Sequence, residues 1–556
     1  MGRRCVQGEY RGSLLRSTPG EAHHLGPGPH PGCSSNGSRP GGTPSRGGSH
    51  QYSLAPEDHG GGRFPFRRVE HPISGRASGA PGAQGRRRRR LGGRSRPSGS
   101  RESDADHTSA ARPSRAGPVH LAKRSRALKE HPTVEIHGLA SGGDGVGRLP
   151  DGRTVFVPWT APGDRVRVRV VDSKKRWARA LPEEILHPSP DRVAPPCAHF
   201  GVCGGCRLQH VSVEEQLRWK GRFVHDALKR IGNLEPEGDI RVDPAPHGLQ
   251  YRGRMTFTVA HRGGRVRAGL REAGRPGRVA EVEFCHIADP KIQETWSSLR
   301  QSLRKPGLLR AGTVVRVTLR AVQEGIVVLF SPRCPGRDGE YFAGLPHVVQ
   351  VWEGGSKGSR LLWGRDEVHE NWFGRAVAVP GPSFTQVNAL AGQGLLDAVV
   401  EAAGDVKGRK VVDAYAGLSL TGRELALKGA SVTAIELDPA ATAALAEAGG
   451  VRVLEGRVEA RLPEALPADL VILNPPRSGL HEHVVHHLLR EPPERVLYVS
   501  CDPATLARDL ERMDPGFVVE SVRAFDLFPQ TPHVESLVAL KARLPDIHGP
   551  EPASDP

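Results

Sequence analysis

The sequence predicts an α/β protein whose carboxyl-terminal domain is built on a largely parallel sheet, preceded by a small β-barrel and a central β-rich unit. Three observations predict it. From residue 380 onward, short apolar strands alternate with Ala/Leu-rich helical stretches, the pattern of strands joined by crossover helices. Residues 131–188 hold short strands punctuated by glycine turns. Between the two lie Cys197, Cys203, Cys206 and Cys285, spaced as metal ligands rather than as a disulfide framework.

A chain of 556 residues is too long for one ordinary domain. Its formal charge of +17 is unevenly placed: residues 1–130 hold 24 of the 78 Lys+Arg and 9 of the 61 Asp+Glu, a net of +15, which leaves +2 for the rest. The basic pI therefore says little about what the folded part binds. This arm is rich in Gly, Pro, Ser and Arg, with five arginines at Arg86–Arg90, and lacks the apolar periodicity of a core, so disorder is expected. It reads either as a basic RNA-tethering arm or as sequence upstream of the true start, and N-terminal sequencing of the native protein separates the two. No stretch approaches the ~20 apolar residues of a membrane span, and no secretory h-region opens the chain. A cytoplasmic protein without a membrane partner is expected, with a monomer as the default.

In the barrel candidate, Arg165-Val-Arg-Val-Arg-Val-Val alternates basic and apolar residues, as a half-buried strand with a charged outer face should. The Cys-rich turn at 197–206 precedes a helix over 212–231, then a mixed β-rich stretch; the central unit is expected over 189–378. The carboxyl-terminal domain is expected over 379–546, with helices at 421–428, 439–448 and 481–490, and residues 547–556 as a loose tail.

Soft thiolates select Fe–S clusters or zinc, and the spacing Cys197-x5-Cys203-Gly-Gly-Cys206 leaves both open. Cys5, Cys33 and Cys334 have no such context and receive no role. Val411-Val-Asp-Ala-Tyr-Ala-Gly417 ends a strand on a glycine turn, the first loop of a nucleotide-type site. Glu436 ends the next strand, where a carboxylate can accept both ribose hydroxyls, although alone it reads equally as a helix cap before Asp438-Pro439. Asn474-Pro-Pro-Arg-Ser-Gly sets a rigid polar loop, otherwise an ordinary Pro-rich turn, at the carboxyl end of the sheet. Cys501 follows a buried strand and precedes a helix start, where a thiolate can be favoured. Glu535 lies 34 residues on, beside His533. A lone cysteine is more often passive core and a lone glutamate solvated; together with a methyl-donor site they make a mechanism.

Over residues 131–541 the chain resembles the bacterial RNA 5-methyluridine methyltransferases, in the branch with a TRAM domain and a [4Fe–4S] cluster. The likeness rests on the four cysteines, Gly269-Leu-Arg-Glu-Ala-Gly, Phe384-Thr-Gln386-Val-Asn, Asn474-Pro-Pro-Arg-Ser-Gly, Ser500-Cys501-Asp-Pro-Ala-Thr-Leu-Ala-Arg-Asp and His533-Val-Glu535. It implies a Rossmann-like class I methyltransferase domain, a TRAM (OB-like) RNA-binding barrel at 131–188 and a central iron–sulfur domain. It further implies a [4Fe–4S] cluster on Cys197, Cys203, Cys206 and Cys285, S-adenosylmethionine contacts at Gln386, Tyr415, Glu436 and Asn474, Cys501 as nucleophile and Glu535 as base. Ribosomal RNA of the large subunit is the favoured substrate, with transfer RNA as the alternative.

The chain departs from the family where Asn474 replaces an Asp, where Gly417-Leu-Ser419 replaces Gly-x-Gly, at Leu420, and where Arg457 replaces a polar residue. These departures predict weaker cofactor binding, with the Ser419 side chain near the cofactor, and they motivate the rival reading of a decayed, non-catalytic RNA-binding scaffold. A radical S-adenosylmethionine enzyme, the other rival, needs three cysteines and an open iron, whereas four ligands are present here.

Overall fold

The computed structural model describes residues 131–335, 339–355, 358–381 and 383–543. The expected basic arm and carboxyl tail, with Cys5 and Cys33, lie outside them. Strands β1 (Thr133–Leu139), β2 (Gly145–Arg148), β3 (Thr154–Val157), β4 (Arg165–Ser173) and β5 (Trp177–His187) close into a barrel in the order β1-β2-β3-β5-β4. In β4 the arginines at 165, 167 and 169 face solvent while Val166 and Val168 are fully buried. They meet Val134, Ile136, Val155 and Val157 in the barrel core. Closure needs glycine at 147, where a Cβ would stand 2.3 Å from Val134 Cγ1.

Helix α1 (Val213–Arg230) starts at Ser212, whose side chain accepts from the Glu215 N–H, and is followed by the short strand β6 (Val242–Asp243). The central sheet comprises β7 (Arg254–Arg262), β8 (Arg265–Glu272), β9 (Arg275–Ala280), β10 (Val314–Ala321), β11 (Ile326–Ser331), β12 (Val348–Gly355) and β13 (Gly358–Gly364), in the order β13-β12-β11-β10-β7-β8-β9. Helix α2 (Pro290–Leu303) packs on it, stacking Trp296 on Phe257 with centroids 3.7 Å apart. The hairpin β14 (His369–Trp372) and β15 (Arg375–Ala378) follows.

The remaining elements are α3 (Ala389–Ala403), β16 (Lys410–Ala414), α4 (Leu420–Leu427), β17 (Ser431–Glu436), α5 (Pro439–Ala448), β18 (Arg452–Glu455), α6 (Val458–Arg461), β19 (Leu470–Leu473), α7 (Glu482–Arg490), β20 (Arg495–Ser500), α8 (Pro503–Met513), β21 (Phe517–Phe525) and β22 (Glu535–Ala542). The sheet runs β18-β17-β16-β19-β20-β22-β21-β6. Strands β16 to β20 are parallel, and β22 is antiparallel to both its neighbours. The order reverses between β16 and β19, and open α/β sheets bind ligands at the carboxyl end of such a switch point.

One segment joins a different body from the one expected. Helix α1 and β6 lie in the stretch read as central, yet Val224, Leu228 and Val242 enter the same core as Tyr498, Leu506 and Leu510. Strand β6 extends the large sheet beside β21. A two-residue strand has no periodicity to read, and the apolar stripe of α1 does not say which partner covers it. Among the described residues no helix is long and apolar enough to cross a membrane.

Candidate active site

The carboxyl edge of the parallel strands collects most of the expected site residues. Tyr415 follows β16, Glu436 ends β17, Asn474 follows β19 and Cys501 follows β20. Antiparallel β22 begins at the same edge with Glu535. The β20–β22 register runs from Arg495↔Lys541 to Ser500↔Ser536, so Cys501 and Glu535 each adjoin the last pair.

Burial raises the Glu535 carboxyl to about 8, against the pull of the Arg477 charge. Burial also raises the Cys501 thiol, with the Glu535 charge adding to it and Arg477 opposing. The expectation of a thiolate favoured by the helix terminus is therefore corrected. Asp502 already accepts the Ala504 and Thr505 N–H groups at 3.0 and 2.9 Å, so the first donors of α8 are taken. His533 lines a cavity of about 1030 Å³ together with Arg477 and Phe528. Desolvation there and the charges of Arg477, Lys220 and Arg252 push its imidazole down to about 4, leaving it neutral at pH 7. Arg477 thus acts on all three groups. Sequence reasoning flagged its loop and missed the residue; the signal was a cation on a loop stiffened by Pro475 and Pro476.

On the cofactor side, Glu436 Oε2 accepts the Gly417 N–H at 2.7 Å, and Oε1 accepts those of Leu437 and Asp438, both at 2.7 Å. The carboxylate is locked facing the glycine turn, and the cap of α5 is Asp438 instead. Asn474 is exposed on its loop and Tyr415 half-buried at φ +60°. Gln386 lies on a segment tied at both ends. Ser383 Oγ donates to Asp438 Oδ2 at 3.3 Å at one end, and Asn388 Nδ2 donates to the Leu527 carbonyl at 3.2 Å at the other. Buried Arg320 pins the segment through the Ser383 carbonyl (2.9 Å) and Thr385 Oγ1 (2.9 Å), leaving Phe384 exposed.

The departures look different in three dimensions. Ser419 adopts φ +47° and turns its hydroxyl into the core, donating to Asp413 Oδ2 at 2.6 Å, so it does not project toward the cofactor as expected. Burial lifts that aspartate to about 6. Leu420 packs against a cluster containing Leu418, Val322 and Val368. Arg457 points outward and pairs with Glu459 at 3.6 Å.

The four cysteines line the same cavity as Arg477 and His533. Burial, with the neighbouring thiols adding to it, raises Cys203 to about 11 and Cys206 to about 12, and Cys285 is raised too. The Gly205 N–H points at Cys203 Sγ at 3.4 Å. No group of three or more His, Cys, Asp or Glu among the described residues converges as the ligands of a metal ion. Ionising these buried thiols together requires a positive group among them. The four thiols are spread around the cavity rather than drawn to a point.

Comparison with known proteins bears on this arrangement. Residues 461–543 match the family described as tRNA (Uracil-5-)-methyltransferase, and residues 130–181 match the TRAM domain. An uncharacterised RNA methyltransferase of Thermosynechococcus vestitus is 31% identical, the match covering 73% of this chain and 97% of that protein. The 23S rRNA (uracil(1939)-C(5))-methyltransferase of Chromohalobacter salexigens is 33% identical over 74% of this chain and 90% of its own length. Among solved structures, the Pyrococcus abyssi tRNA (uracil-54, C5)-methyltransferase in complex with S-adenosyl-L-homocysteine superposes with a TM-score of 0.58 at 26% identity, covering 73% of this chain and 99% of that one.

Proposed function

The chain belongs to the RNA (uracil-C5-)-methyltransferase family, and from that premise we propose that Cys501 and Glu535 carry the reaction as a nucleophile–base pair. The protein methylates carbon 5 of a uridine in RNA, with S-adenosylmethionine as donor. What supports the pair is that β20 and β22 stay in register to Ser500↔Ser536, the residues next to Cys501 and Glu535, and that the Glu535 charge acts on the Cys501 thiol.

Carbon 5 of uracil is a poor nucleophile. Addition of the Cys501 thiolate to carbon 6 turns the ring into an enolate with electron density on carbon 5. The thiol first loses its proton to solvent, a step that the Arg477 charge favours. S-adenosylmethionine supplies the methyl group as an electrophile on its sulfonium, and Gln386, Tyr415, Glu436 and Asn474 would hold it. Glu535, as carboxylate, then takes the carbon 5 proton, and the electrons of that bond expel the Cys501 thiolate. The uridine must leave its stack to reach the pair, at a cost of about a few kcal/mol, and exposed Phe384 would support the ring by stacking. Since Ser419 is turned away, the decayed-scaffold rival loses its main motive.

Cys197, Cys203, Cys206 and Cys285 would hold a [4Fe–4S] cluster, which spreads its thiolates wider than a single zinc with bonds of about 2.3 Å. The cluster is structural on this reading, since the mechanism moves no electrons. Large-subunit ribosomal RNA is the proposed substrate, after the Chromohalobacter relative, and the Pyrococcus structure keeps transfer RNA as the second reading. Mapping 5-methyluridine in cells with and without the gene decides between them. The site itself is tested by two variants. Cys501→Ala should abolish turnover and covalent RNA adduct together. Glu535→Gln should form the adduct and trap it; rapid release of methylated RNA from that variant refutes the base assignment.

A further inference from the structure

Residues 526–533, which deliver Glu535, are held from three directions. Lys220 of α1 gives its buried ammonium to Asp526 at 2.6 Å and to the Phe528 carbonyl at 3.1 Å. The Tyr251 hydroxyl donates to the Pro529 carbonyl at 3.0 Å. The third hold is on Gln530, which sits at φ +69°. A non-glycine residue stays in that region only where its surroundings over-determine it.

Here they do. The Gln530 carbonyl accepts the N–H groups of Arg207 and Leu208, both at 3.0 Å, and these are the two residues after Cys206. Its own N–H donates to Gln216 Oε1 at 3.0 Å, and its Oε1 accepts from Gln216 Nε2 at 3.2 Å. The same Gln216 nitrogen reaches the carbonyls of Leu208 (3.1 Å) and Val211 (2.9 Å). One buried amide on α1 therefore joins the cysteine turn to the segment five residues before Glu535. Nothing in the methyl transfer itself explains this junction.

We infer that Gln530, together with Gln216, is a positioning residue that fixes the Glu535 carboxyl against Cys501 and makes its placement depend on the order of the Cys197–Cys206 turn. The inference rests on Glu535 being the base. Whatever orders the cysteine turn then governs proton removal from carbon 5. Its loss stalls the reaction after methyl transfer, at the covalent stage, and leaves RNA binding intact.

The experiment uses full-length Gln216→Leu beside wild type and Glu535→Gln, in single-turnover reactions with substrate RNA and S-adenosylmethionine, reading the adduct under denaturing conditions. The adduct should form at the wild-type rate within about twofold and decay about 100-fold more slowly, the cost of a misplaced catalytic group. A second readout is amide hydrogen exchange in Cys206→Ser, where residues 530–535 should lose about tenfold in protection while β4 keeps its own. Wild-type adduct decay in folded Gln216→Leu, or unchanged protection at 530–535, overturns the inference. If Gln216→Leu does not fold, Gln530→Gly keeps the left-handed backbone and its carbonyl and is read the same way. If Glu535→Gln accumulates no adduct, the base assignment falls, whereas the exchange experiment still reports whether turn and segment move together.

Discussion

Glu535 is where physics and chemistry pull against each other. Its folded pKa of about 8 stands above the ordinary 4.5, so the folded chain holds a proton that the unfolded chain has released. Stability is therefore fully present below about pH 4.5 and is lost as pH rises through about 8, with a total of about 5 kcal/mol at 1.36 kcal/mol per unit. Gln at 535 cannot ionise. Thermal melts of Glu535→Gln and wild type should coincide near pH 4.5 and separate progressively up to pH 8, the variant melting higher; parallel curves would contradict the burial argument. Activity of the wild type should climb with pH through about 8 as the carboxylate becomes available, and keep rising above it as the raised Cys501 thiol ionises. Ser419 supports a prediction of the opposite kind. Its left-handed backbone costs about 1–2 kcal/mol, which a buried hydrogen bond to Asp413 offsets by about 1 kcal/mol. Calorimetry on Ser419→Gly should show S-adenosylmethionine affinity within about threefold of wild type, because the hydroxyl faces the core; a larger gain would mean that the side chain reaches the cofactor.

Among the elements, α1 does more than its amphipathic pattern suggests. Lys220 lies on the stripe of Phe223 and Val224, fully buried, with Asp526 as its partner. Removing one member of a buried pair typically costs about 3–5 kcal/mol, so Lys220→Met should shift the denaturant midpoint well below that of exposed-face changes such as Lys229→Met. A shift no greater than that control would show the pair to be dispensable. The helices and strands were legible because their periodicity is local: α5 spans Pro439–Ala448, as its Asp-Pro start and Ala-rich run indicate. The partners of α1 and β6 were not legible, since burial against a distant strand leaves no mark in local spacing. The Ser419 conformation was hidden for the same reason, because it depends on where the Asp413 carboxylate points.

Across the whole molecule, barrel, cysteine turn and large sheet meet at one cavity. Arg207, just after Cys206, pairs with Asp144 of the barrel, while its N–H serves Gln530. Motif order alone pointed to Cys501, Glu535 and the four cysteines, since each lies in a motif beside a strand end or turn readable in sequence. That the four cysteines share a cavity with Arg477 and His533 came from topology, and Gln216 and Gln530 emerged only with it. Anaerobically purified protein should carry about four irons and four sulfides per chain; one zinc and no sulfide would overturn the cluster. The central claim is that Cys501 bonds to the uracil ring while Glu535 waits to free it. Peptide mass spectrometry of the Glu535→Gln protein, denatured after reaction with substrate RNA and S-adenosylmethionine, tests it directly. The account predicts a methylated uridine nucleotide on the peptide containing Cys501, and a nucleotide on another residue, or on none, contradicts it.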